Sequence, residues 1–228
     1  SCPDQYSQIC NYNLYVRDVA NGTIGPNQLL GQYDNLSNSN SPSVSLSLVT
    51  PSSAKMLFVR WWPNDVLTTD IYRKSDGAFQ KIISHLRSIS FGYVVSGKII
   101  GCTKKSDQTS SFLECYEINE NTGALVNIQN AVVIDGTSSN YFLEQDQGNG
   151  SLYAIIYSRS SRGLKISRYE NGNWVQVHQE VLPNTWRNNL VTSISFYSTF
   201  VVNNELYLKL SLTIDSSNKR DIILPIHF

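Results

Sequence analysis

Two short segments place an indole beside a guanidinium: Arg60-Trp61-Trp62-Pro63 and Asn184-Thr185-Trp186-Arg187-Asn188-Asn189. An exposed Trp ring is a flat apolar surface on which a sugar ring or a partner's side chain can stack. Arg and the planar Asn amides are the donors that bind hydroxyls. Neighbours on a strand point to opposite faces, so Trp61 and Trp62 cannot share one core layer. One is expected in the core and the other at the rim, with Pro63 ending the strand pairing. Arg60, Trp61, Trp62, Trp186 and Arg187 are therefore the candidate ligand-binding residues. Trp174 follows a turn at the start of a strand and reads as core.

Residues for bond-breaking are sparse. There is no Gly-x-Ser-x-Gly elbow, no His-Glu-x-x-His, no phosphate-binding loop and no dinucleotide fingerprint. His85, His178 and His227 are far apart, and no Cys-x-x-Cys suggests a metal. Asp70, Glu114 and Asp135 are the carboxylates that could gather at a central axis to cleave a glycosidic bond. None recurs at an equivalent place in successive repeats. The expectation is a protein without enzymatic activity, cofactor or metal.

The four cysteines fit two disulfides and an oxidising compartment. Cys102 and Cys115 flank the turn-like Ser106–Ser111 and are equidistant from its middle, so they can face each other across a hairpin. Cys2 and Cys10 would then tie a short N-terminal loop, while the crossed pairings stay open. Asn21, Asn35 and Asn149 stand in Asn-x-Ser/Thr sequences that permit glycosylation. The chain begins Ser1-Cys2-Pro3, which reads as a mature end after leader removal or as a cloning boundary.

The elements that must position these residues are all strands. Segments opening at Ser43, Ser88, Ser139 and Ser193 are alike, and they lie 45, 51 and 54 residues apart. Each is followed by an apolar strand: Leu57–Trp61, Ile99–Cys102, Leu152–Tyr157 and Leu206–Leu210. A second landmark runs in phase. Asn21-Gly22, Asp76-Gly77, Thr122-Gly123 and Asn171-Gly172 each follow a Tyr-bearing strand and precede an apolar one. Asn-Gly and Asp-Gly supply the positive φ angles of tight hairpins. A fixed period of about fifty residues with four short strands per period specifies an all-β protein, a small β-propeller. Leu152–Tyr157 and Leu206–Leu212 are apolar enough to suit inner strands covered on both sides. The single best helical candidate, Phe79–Leu86, also fits a strand.

The expected organisation is one domain over 1–228, with repeats at about 43–87, 88–138, 139–192 and 193–228. N-terminal strands within about 1–42 would complete the last blade and close the ring. A fifth, incomplete blade is the alternative count, and a β-sandwich or barrel the alternative fold.

Lys plus Arg equals Asp plus Glu at 18 each, and only 16% of residues are charged. A neutral chain lacks the cationic footprint that phosphate backbones demand, which excludes nucleic acid as the main ligand. No run approaches the roughly 18 apolar residues that would span a bilayer. These features point to a secreted, extracellular binding protein whose partner is a glycan or an extracellular protein. The alternatives are a pathogen or viral surface attachment or effector protein, and a glycoside hydrolase with axial carboxylates. The Trp residues do not repeat from blade to blade, so one binding site is expected rather than several.

Overall fold

The computed structural model describes residues 9–17, 19–20, 23–37, 43–48, 55–61, 66–87, 89–106, 111–129, 132–134, 139–146, 148–214 and 218–228. Among them there is no helix. Strands β1 (Ile9–Val16) and β4 (Gln28–Ser37) form a long hairpin, with the short pair β2 (Val19–Ala20) and β3 (Thr23–Ile24) between them. Four antiparallel meanders follow in chain order. The first sheet is β5 (Ser43–Leu48), β6 (Lys55–Trp61), β7 (Thr68–Ser75) and β8 (Ala78–Arg87). The second is β9 (Phe91–Val95), β10 (Lys98–Ser106), β11 (Ser111–Ile118) and β12 (Leu125–Asn127), with β13 (Val132–Ile134) also on β11. The third is β14 (Ser139–Gln145), β15 (Leu152–Ser158), β16 (Gly163–Glu170) and β17 (Asn173–Val181). The fourth is β18 (Thr185–Trp186), β19 (Asn189–Val202), β20 (Glu205–Ile214) and β21 (Asn218–His227). Successive sheets of this kind are the blades of a β-propeller. The N-terminal strands β1 and β4 pair with each other. No pairing that closes a ring is found among the described residues.

The turns explain why strands form where they do. Asp76-Gly77, Ser96-Gly97 and Asn171-Gly172 each place two consecutive residues at positive φ. That is the turn whose twist matches two antiparallel strands. Gly123 is also left-handed, in a wider turn held by Asn119, whose side chain accepts from the amides of Asn121 and Thr122 at 3.0 Å. Asn21-Gly22 lies outside the described residues. Phe79–Leu86, the helical candidate, is strand β8.

The chain divides into two compact units, residues 1–103 with 116–126, and residues 104–115 with 127–228. In the first unit β6 is buried on both faces. Met56 and Phe58 join Ile71, Val94 and Ile99, while Leu57, Val59 and Trp61 join Leu30, Tyr33 and Tyr72 of the N-terminal hairpin and β7. The hairpin is docked by two polar devices. The Gln28 amide donates to Phe79 O at 2.7 Å and accepts from Phe79 N at 2.9 Å. Tyr33 Oη lies 2.9 Å from Tyr72 Oη and 3.5 Å from the buried Asp70 carboxylate, which pairs with Lys81 at 2.8 Å. Gly31 leaves the room: a Cβ there would stand 3.0 Å from Tyr72 Oη.

In the second unit the third and fourth sheets share one core of Tyr153, Ile155, Leu164 and Ile166 against Val191, Leu206, Leu208 and Leu210. All seven residues of β15 are buried, as its sequence indicates. β20 departs from expectation. Its leucines are buried, but Tyr207 is half-buried and Lys209 exposed, so it is covered on one face only. Asp146 bolts this core at its edge. Its buried carboxylate accepts from the amides of Gly148 (2.7 Å), Asn149 (3.4 Å), Asn203 (3.0 Å) and Asn204 (2.8 Å). Burial alone would raise its pKa, but four backbone donors favour the ionised form and hold the carboxyl below its usual value.

Cys102 and Cys115 are joined as a disulfide across the β10–β11 hairpin, as the spacing predicts. Cys2 lies outside the described residues, as does the side chain of Cys10.

Two outcomes follow. The Cys102→Ala/Cys115→Ala double variant is expected to lose about 3 kcal/mol in urea denaturation, the chain-entropy value for a loop of this length. An unchanged midpoint would show that the cross-link adds nothing. Asp146 has a folded pKa below its unfolded one, so its stabilisation is present above about pH 4 and fades as pH falls through the folded value. Asp146→Asn should therefore cost about 1–3 kcal/mol at pH 7, with the gap from wild type narrowing on acidification. A gap independent of pH would contradict the assignment.

Candidate functional site

Four of the five candidate residues are described, Arg60 and Trp61 in the first compact unit and Trp186 and Arg187 in the second. Trp61 is buried, packed edge-on against Tyr33 with ring centroids 5.1 Å apart. It is the core member of the Trp pair and cannot present a stacking face, which corrects its assignment as a ligand contact. The physical reason is its register: Trp61 is in phase with Leu57 and Val59 on the face covered by the N-terminal hairpin. Arg60, on the opposite face, is half-buried and donates to the Ser90 carbonyl, so its guanidinium is committed to the backbone. Trp62 lies outside the described residues.

Trp186 and Arg187 are brought together, in a place the repeat alone does not indicate. The segment 184–189, which reads as an inter-blade connection, contains the short strand β18. It folds back on the start of β19, with Thr185 opposite Leu190 and Trp186 opposite Asn189. In the first three sheets the strand that opens the repeat, β5, β9 or β14, is an edge strand. In the fourth the corresponding Ser193 lies inside β19, and β18 adds a strand outside it. The β18–β19 hairpin is thus an addition to one blade.

Its two-residue turn is Arg187-Asn188, with φ of 49° and 66°. Other such turns use Gly, Asn, Asp or Ser; Arg has no side-chain bond that favours the left-handed region. Strain of this kind is retained where a site needs it. The Arg187 guanidinium sits 5.9 Å from the centroid of the Trp186 ring, within cation–π range. The ring is half-buried against the core, and its outer part faces an open groove of about 470 Å³. Arg187, Asn189, Ile214, Arg220, Asp221 and Ile222 complete the lining. Asn189, Arg220 and Asp221 were not foreseen. The signal was present in the polar start of the last strand, Asn218-Lys-Arg-Asp221, but nothing local says that it meets Trp186.

The carboxylates expected at an axis are otherwise engaged. Asp70 is buried and paired with Lys81; burial lowers the Lys81 pKa, but the Asp70 carboxylate outweighs this and raises it. Glu114 pairs with Lys105 across the β10–β11 hairpin. Asp135 lies outside the described residues. Glu144, two residues before Asp146 on β14, accepts from Thr199 Oγ1 at 2.5 Å, and burial raises its carboxyl. Asp146 spends its oxygens on backbone amides, so these two acids form a structural seam. Among the histidines, His227 Nδ1 lies 2.7 Å from Glu205 and His178 Nε2 3.7 Å from Glu180; the side chain of His85 is outside the described set. Among the described residues no group of three His, Cys, Asp or Glu could hold a metal ion. Trp174 is core, edge-on to Tyr169 at 6.0 Å.

Of the glycosylation candidates, Asn149 is exposed in the β14–β15 turn. Its amide donates to Asn204 Oδ1 at 3.1 Å, and its own Oδ1 accepts from Ser151 N at 2.9 Å. Asn21 and the side chain of Asn35 lie outside the described residues.

No protein-family model matches the sequence. No curated protein sequence matches it either. Solved structures do. A subtype N10 neuraminidase-like protein from a little yellow-shouldered bat isolate in Guatemala is 13% identical, with a TM-score of 0.38, over 78% of this chain and 57% of that one. The endo-arabinase of Bacteroides thetaiotaomicron is 11% identical, with a TM-score of 0.39, over 99% and 92%. The β-propeller domain of the Trilobed protease of Pyrococcus furiosus is 9% identical, with a TM-score of 0.31, over 81% and 85%. The chain spans little more than half the length of the first of these. The likeness is one of fold. It nonetheless corrects one expectation: propellers of this kind are found in enzymes, so the architecture is compatible with catalysis and gives no ground for the absence of enzymatic activity.

The turn strain is testable. Arg187→Gly should raise stability by about 1 kcal/mol, because glycine adopts the left-handed region without penalty. Urea denaturation showing a loss instead would mean that Arg187 is there for the fold.

Proposed function

We propose that the protein recognises a carbohydrate in the groove beside the β18–β19 hairpin, working outside the cell. The single observation that carries the reading is that hairpin. It is an addition to one blade, and it holds Trp186 and a strained Arg187 at an open groove. Insertions into single repeats usually lie on a binding face. Trp186 supplies the apolar surface for a sugar ring, and Asn189, Arg187, Arg220 and Asp221 supply donors and acceptors for its hydroxyls. A single site agrees with Trp residues that do not repeat between blades. The Cys102–Cys115 disulfide fits an oxidising compartment, and among the described residues no helix is long and apolar enough to cross a membrane.

A second reading, attachment to a protein surface, is favoured by one observation. On the fourth sheet Phe200 and Tyr207 stack at 4.8 Å and 8°, opposite Pro225, with Phe200 exposed. An aromatic platform on a sheet face suits a flat epitope.

Trp186→Ala is expected to lower affinity about tenfold or more on a glycan array, as loss of one ring-stacking contact does, while the thermal transition stays cooperative. Array binding equal to wild type would overturn the carbohydrate assignment of this groove.

A further inference from the structure

We infer that the groove takes a sugar bearing an anionic substituent, a carboxylate or a sulfate, held between Arg187 and Arg220; this rests on the carbohydrate reading of the same groove. The observation is which arginines are already engaged. Six with described side chains have partners. Arg17 binds Asn27, Arg60 the Ser90 carbonyl, Arg73 Glu120, Arg159 Asn140, Arg162 the Val191 carbonyl and Arg168 Glu170. The guanidinium groups of two, Arg187 and Arg220, make no ion pair or hydrogen bond among the described residues. Both line this one groove.

The contrast is informative because Asp221 lines the groove too and pairs with neither guanidinium. A surface arginine beside a free carboxylate ordinarily loses little by pairing with it. Here two guanidinia and one carboxylate stay apart, in a chain whose formal charge is zero. Two like charges facing one cleft repel, and Arg187 is held there by a backbone conformation that costs energy. A carboxylate or sulfate oxyanion removes that repulsion and accepts the forked N–H donors of both. Asp221 and Asn189 are left for neutral hydroxyls, and Trp186 for the ring's apolar face. A neutral sugar would use the same groove without satisfying the two cations.

Isothermal titration would compare three oligosaccharides of equal length: an oligogalacturonate, a sulfated dextran oligomer and a neutral maltooligosaccharide. The expected result is that at least one acidic ligand binds about tenfold or more tightly than the neutral one, and that its affinity falls with added salt. Arg187→Gln and Arg220→Gln should each remove about tenfold of that affinity and lower neutral binding by a much smaller factor, since only a hydroxyl contact is lost there. Whether the carboxylated or the sulfated ligand binds identifies the oxyanion, and either supports the inference. Equal binding of acidic and neutral ligands overturns it while leaving the carbohydrate reading intact. Acidic binding unaffected by either variant overturns it by placing the anion elsewhere. Absence of binding by all three overturns both.

Discussion

Each of the four meander sheets described depends on a backbone that reverses direction within two residues. Each of the four sheets has at least one turn with two successive residues at positive φ: Asp76-Gly77, Ser96-Gly97, Asn171-Gly172, and in the fourth sheet Arg187-Asn188 and Asn203-Asn204. Such a turn sets the register of the strands it joins. Because side chains alternate between faces, register decides which residues are buried; a slip of one position would turn each strand inside out. The alternation of Leu206, Leu208 and Leu210 with Tyr207 and Lys209 has meaning only because Asn203-Asn204 fixes Glu205 opposite Val202.

The sheets then have to be held against one another within each unit, and buried polar groups do this where apolar contact ends. Asp146 fastens the Asn203-Asn204 turn by accepting its two amides, and Gly148 is needed beside it because a Cβ would meet Asn203 Oδ1 at 2.1 Å. In the first unit Asp70 could not be buried unpaired. Lys81 and Tyr33 stabilise it, and in doing so tie β4 to β7 and β8. These carboxylates sit where their charge is fully used by the fold.

Against this repeated scaffold the groove lies, among the described residues, where β18 extends one blade and two guanidinia have no ion-pair partner. A repeat supplies rigid, similar blades, and function is added where one blade differs. The β18–β19 hairpin is that difference. It is made with the same two-residue turn as the others, but with Arg in a position that Asp, Ser or Asn fills elsewhere.

Much of the architecture was legible in the sequence because it rests on local chemistry. Gly after Asp or Asn makes a tight turn wherever it falls, a period near fifty marks the blade, and Cys102 and Cys115 must face each other if the chain between them is a hairpin. Trp186 and Arg187 could be singled out for the same reason, as an indole and a guanidinium adjacent in a polar segment. What the sequence could not decide was set by strands that meet from far apart. Trp61 is core because the N-terminal hairpin covers its face of β6. Arg220 and Asp221 share a groove with Trp186 because β19 and β20 intervene and carry β21 alongside. Packing between distant strands chooses which face of each is buried and which charges find partners, and no local pattern encodes that choice.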